Sequence, residues 1–167
     1  SVGLVLFYIL SATVVPAATE FHRGIYVFIT YVLVFLLYKS PHPALRPLDY
    51  LLMLLSIISI SYWIYNYEAL NYRAGAETQM DMIVAVTGVL LGIEVARRVI
   101  GSVFVILAGL LLIYGVYGMH FPILIAHPGA SFPELCTTIF YKEDGVFGLM
   151  ANVLATYVVL FVIFGAF

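Results

Sequence analysis

An all-α integral membrane protein, a polytopic bundle of about six transmembrane helices, is the fold class that three observations predict. Hydrophobic residues make up 64% of the 167 and charged residues only 10%, against about 25% charged in an ordinary soluble domain. The mean hydropathy is +1.11. The apolar residues come in long runs between short charged breaks, the pattern of a polytopic bundle. Runs such as LLMLLSIISI and VFVILAGLLLIY also lack the apolar and polar alternation of a barrel strand. Amides in lipid must bond within their own segment, and such continuous runs achieve that as helices.

The seven basic and nine acidic residues divide the chain into uncharged runs at 1–19, 24–38, 50–67, 82–93, 99–133 and 145–167. About 20 apolar residues cross the hydrocarbon layer, so some spans borrow flanking charged residues to reach that length. The run 99–133 is too rich in turn residues to be one helix, with Gly118, Pro122, Pro128, Gly129 and Pro133. Its span is expected to stop near Gly118. Segment 39–49, KSPHPALRPLD, holds Pro41, Pro43 and Pro47; it ends one helix, and Pro47 opens the first turn of the next. The tract around Tyr62, Trp63, Tyr65, Tyr67 and Tyr72 has the look of an interfacial aromatic belt, with ring stacking on a ligand as the alternative.

Basic residues set topology. With the N-terminus cytoplasmic, the connections at 39–49 and 94–101 carry Lys39, Arg46, Arg97 and Arg98 on the inside, and Arg23, Arg73 and Lys142 lie outside. The small-residue series Gly88, Gly92 and Ala96 should let another helix approach closely.

Few residues point to chemistry. Glu94 precedes Arg97 and Arg98 by three and four places, so its carboxylate meets a guanidinium on one helix face. That is either an ion pair at a span end or part of an ion relay. Asn152 and Thr156 lie one turn apart within an apolar run and either bond across a helix interface or line a solute path. His22, His42, His120 and His127 fall at span ends or in connections, not within spans where a bis-histidine haem would be held. No His-Glu-x-x-His pattern, catalytic triad or phosphate-binding glycine loop is present, so no enzyme is expected and no catalytic, metal or cofactor residue is assigned. Cys136 is the lone cysteine, which excludes an internal disulfide and reads as a small apolar filler. A net charge of −2 gives no nucleic-acid partner.

The stretches HRGIYVFITYVLVFLLYKSP, RPLDYLLMLLSIISISYWIYNYEALNYRAG, MIVAVTGVLLGIEVARRVIG and GVFGLMANVLATYVVLFVIFGAF together resemble the N-terminal part of the fused permeases of TRAP transporters, in the subclass served by TAXI-type receptors. The resemblance implies a permease in the inner (cytoplasmic) membrane, to which an extracytoplasmic solute-binding receptor delivers an organic anion. It also implies coupling to a sodium gradient in the complete transporter. Residues 1–98 would be a small-subunit-like four-helix domain bracing the transporter, and 99–167 the beginning of the large transport portion. The family's solute and ion sites lie further along that portion, so no substrate-binding residue is carried over. Ser1 opens without an initiator methionine and Phe167 ends an apolar run, so the chain is expected to be an excerpt or processed product. A membrane scaffold or assembly subunit that transports nothing is the alternative, and a quinone- or haem-linked redox subunit is a third class.

Overall fold

Helices form where the apolar runs predict them, and the breaks between them fall at residues that cap or stop a helix. The computed structural model describes residues 19–39, 46–142 and 145–165. The expected first span and the Pro41 to Pro43 part of the connection, with His42, lie outside the described residues. Among the described residues every regular element is helical. In chain order these are α1 (Thr19–Leu37), α2 (Arg46–Tyr72), α3 (Gln79–Val99) and α4 (Ser102–Tyr117), the last ending in a 3-10 turn at Gly118–His120. They are followed by α5 (Phe132–Tyr141), α6 (Leu149–Val153), a π-helical segment at Leu154–Val158 and α7 (Val159–Gly165).

Local chemistry accounts for the boundaries. Pro47 occupies the first turn of α2, where its missing N–H costs no helical bond. Thr78 caps α3, and the Asp81 side chain reaches back to the Thr78 backbone in a reciprocal capping box. Gly101, at φ +111°, makes the tight turn from α3 into α4, a conformation few other residues adopt. α4 stops at Tyr117 as the glycine and proline spacing predicts. The ten-residue α5 is a helix that the sequence reading did not anticipate; Ser131 caps it and the Glu134 side chain returns to the Ser131 backbone.

Among the described residues two segments, Arg46–Tyr72 and Ser102–His120, are long and apolar enough to cross a membrane, with mean hydropathies of 1.6 and 2.2. Only 28% and 6% of their apolar windows are buried within the chain, so most of that apolar surface faces outward.

α3 is the centre of the bundle, packed by α1, α2, α4 and α5. The core is aromatic at one end. Trp63 stacks on Phe147 at 4.0 Å between ring centroids, and Phe147 meets Phe140 edge-on at 5.1 Å. This divides the aromatic tract of α2. Tyr65 and Tyr72 point outward as belt residues would, but Trp63 is only 2% exposed and belongs to the core, because Phe147 supplies an apolar face for its indole.

Candidate functional site

The ion pairs of the described residues lie at the two ends of the bundle. At one end Arg98, whose side chain is 8% exposed, joins three helices. Its Nη2 donates to Asp49 Oδ1 of α2 at 2.6 Å, its Nε to Glu94 Oε1 of α3 at 2.8 Å, and its Nη1 to the Tyr38 carbonyl just beyond α1 at 2.9 Å. The guanidinium also lies 4.9 Å from the centroid of the Phe35 ring, a cation–π contact. Arg97 holds Glu94 bidentately at 2.7 Å through Nε and Nη2. The expected pairing of Glu94 with both arginines is therefore present. Sequence spacing could not reveal that Arg98 also reaches Asp49, which is 49 residues away. This joint places the end of α1, the start of α2 and the end of α3 together, as the grouping of Lys39, Arg46, Arg97 and Arg98 on one side requires.

The opposite end is organised by Asp81, which is fully buried. Tyr62 donates its hydroxyl to Oδ1 at 2.6 Å, and Arg73 Nη2 approaches the same oxygen at 3.5 Å. Oδ2 accepts from the Thr78 N–H at 2.8 Å and from its hydroxyl at 2.7 Å. Tyr141 of the unanticipated α5 donates to the Asp81 carbonyl at 2.7 Å. Every carboxylate oxygen here has at least two donors, which leaves it no open coordination position.

Arg23 of α1 donates Nη1 to the Phe147 carbonyl at 3.1 Å, tying α1 to the segment before α6. Its Nε and the Asn152 Oδ1 are buried without a hydrogen-bond partner among the described residues. Asn152 and Thr156 do share a face, but their link is Thr156 Oγ1 to the Asn152 backbone carbonyl at 2.7 Å, at the start of the π-helical segment. Such back-bonding is a local alternative to a bond across an interface.

The small-residue face of α3 accepts side chains, not a single helix backbone. A methyl on Gly88 would collide with the Phe140 ring of α5, and one on Gly92 would lie 2.8 Å from the Tyr31 hydroxyl of α1. Ala96, the third member, lines a groove of about 420 Å³ between α3, α4 and α5, with Tyr31 at its wall.

His22 lies in α1, and His120 and His127 lie in the connection after α4. His127 Nδ1 accepts the Gly129 N–H at 3.1 Å, which leaves Nε2 to donate to the Tyr114 carbonyl at 3.1 Å. This pins the loop after α4 back onto that helix. His120 lies in the 3-10 turn beside the Tyr117 ring. Cys136 is a free, fully buried thiol. In the α5 capping box, hydrogen bonding from Ser131, side chain first and then backbone, holds the Glu134 carboxyl below the ordinary glutamate range.

Comparison of the chain with protein-family models, with curated proteins and with solved structures found no match.

Proposed function

We propose that this chain is a multi-pass membrane component of a receptor-dependent secondary transporter for organic anions, and that its own part is to brace the transport machinery. The observation that carries the bracing role is the fate of its charged groups. Arg98, Asp49, Glu94, Arg73 and Asp81 are engaged with one another and with backbone at helix ends, while the helix surfaces facing outward are apolar. A chain that lines a solute path keeps polar groups available within the span. The membrane setting is supported by composition and by the outward-facing apolar helices; about six spans follow from the apolar runs, a cytoplasmic N-terminus from the placement of the basic residues, and an inner-membrane location from the resemblance alone.

The transporter class and its coupling to sodium rest on the sequence resemblance alone. Hydrogen-bond donors crowd the Asp81 oxygens and guanidiniums hold Glu94, which agrees with the resemblance in assigning ion coupling to a later part of the large transport portion. The observation favouring the scaffold alternative is the same set of paired charged groups at the helix ends, which serves assembly as well as it serves bracing.

Proteoliposomes test the proposal. The complete permease, given a TAXI-type receptor and an inward sodium gradient, is expected to accumulate an organic anion. The 167-residue chain alone is expected to give no more uptake than empty liposomes, because alternating access needs two repeats around a midplane site. Absence of receptor-dependent uptake by the complete permease would turn the assignment to a scaffold. Uptake by the chain alone would overturn the bracing role.

A further inference from the structure

Between Arg98 and Glu134 the chain carries no charged residue, and residues 121–126 of the loop after α4 read FPILIA. Ile123 and Leu124 at its tip are 96% and 97% exposed. Hydrogen bonds hold this tip against the flank of α4 and keep it from rising away from the helix end. The Tyr114 hydroxyl donates to the Ile125 carbonyl at 2.6 Å, and His127 Nε2 to the Tyr114 carbonyl at 3.1 Å. The N–H groups of His127 and Ala130 bond the Gly118 and Gly115 carbonyls at 3.3 and 3.1 Å. Gly118 makes room for this, since a methyl there would enter the His127 ring. We propose that the loop is a wedge seated in the membrane–water interface at the end of α4, with Ile123 and Leu124 dipping among the acyl chains. The proposal rests on the membrane reading above.

Continuity, depth and charge select lipid as the occupant. Ser102–His120 has a mean hydropathy of 2.2 and only 6% of its apolar window buried within the chain, so the flank on which the loop lies is itself a lipid-facing surface. Its 19 residues rise about 30 Å as sixteen α-helical and three 3-10 steps, the thickness of the hydrocarbon layer. Tyr114 lies about 10 Å short of the His120 end, more than the length of a tyrosine side chain. Its hydroxyl and the Ile125 carbonyl bonded to it therefore stay at or below that end, and Leu124 follows within one α-carbon step of about 3.8 Å. Tyr117, 56% exposed beside His120, is the kind of aromatic side chain that marks the interface. Depth is limited from the other direction too. The N–H groups of Ile123, Leu124 and Ala126 make no hydrogen bond among the described residues, and such groups need water within reach. A seat with backbone among the headgroups and apolar side chains just beneath meets both conditions. A docking protein would ordinarily meet a polar rim, and this uncharged stretch offers it no ion pair.

The test uses the complete protein, first shown to sediment with membranes, then reconstituted in vesicles of 1-palmitoyl-2-oleoyl-phosphatidylcholine with a dansyl-bearing amino acid incorporated in place of Leu124. Lipids spin-labelled near the ester linkage or near the acyl-chain end quench from the membrane, and iodide quenches from the water. The same probe at Ala76, exposed in the polar connection between α2 and α3, is the aqueous reference. At Leu124 the shallow spin label should quench more than the deep one. Iodide should quench there at least about tenfold less than at Ala76, since moving even one leucine or isoleucine side chain out of water shifts a partition by more than a decade. Ile123→Asp beside the probe should raise iodide quenching toward the Ala76 value, because a carboxylate resists entry. If the probe at Leu124 prevents folding, the probe at Ile123 with Leu124→Asp carries the same comparison. Iodide quenching equal to that at Ala76 would overturn the proposal while leaving the membrane reading intact. Exclusion of iodide with no quenching by either lipid would also overturn it, by showing that protein covers the loop. Failure to sediment with membranes would instead overturn the membrane reading, and the proposal with it.

Discussion

Replacing Asp49 by alanine should cost about 3 kcal/mol of stability. The carboxylate lies 2.6 Å from Arg98 Nη2, and both side chains are less than a tenth exposed, so solvent screens the pair little. Removing one partner of a buried pair costs about 3–5 kcal/mol, because the remaining charge loses its compensation. Arg98 keeps Glu94 and the Tyr38 carbonyl, which places the expected loss at the lower end of that range. Arg98→Ala should cost as much or more, since it breaks the links of α3 to α1 and α2 and the pairing with Glu94 together. In a double-mutant cycle the two losses should fail to add by about 1–3 kcal/mol, as for residues in direct contact. Equilibrium unfolding in mixed micelles, with stability read by steric trapping, measures all three variants. A loss below about 1 kcal/mol for Asp49→Ala, the range of exposed pairs, or additivity within about 0.5 kcal/mol, would refute the joint as a structural element.

Three other predictions follow from single features. Gly88→Ile should lower folded yield and stability by about 1–3 kcal/mol, because its side chain enters the volume of the Phe140 ring; normal yield and thermal stability would contradict the packing of α5 on α3. The Glu134 carboxyl is held below its ordinary value in the folded state, so its contribution to the α5 cap is complete above the unfolded value of about 4.3. That contribution is lost as pH falls through the lower folded value. Amide exchange of the first turn of α5, corrected for intrinsic rates, should accelerate over that acidic range in wild type and stay flat in Glu134→Gln. With Cys136 replaced, single cysteines at Ser40 and Gly75 should label from opposite faces of the membrane, Ser40 from the cytoplasm; labelling of both from outside would reverse the topology.

What the sequence determined by itself was local. Uninterrupted apolar runs marked α1 to α4 and the closing helical stretch, since a helix is satisfied by bonds within its own segment. Gly118 marked the end of α4, and a spacing of three and four residues paired Glu94 with Arg97 and Arg98. Tertiary structure decided which groups meet across long separations. Arg98 finds Asp49, Tyr62 and Tyr141 converge on Asp81, and Trp63 leaves the aromatic belt for a stack on Phe147. The short helix α5 was hidden because ten residues carry too few turns for an apolar period to stand out. Its position against Gly88 depends on the ring of Phe140 finding a gap that only a residue without a side chain leaves. Gly92 made the corresponding gap for Tyr31. A small residue in the sequence announces that something approaches closely, but what approaches is settled by how the helices cross, and that depends on contacts between residues far apart in the chain.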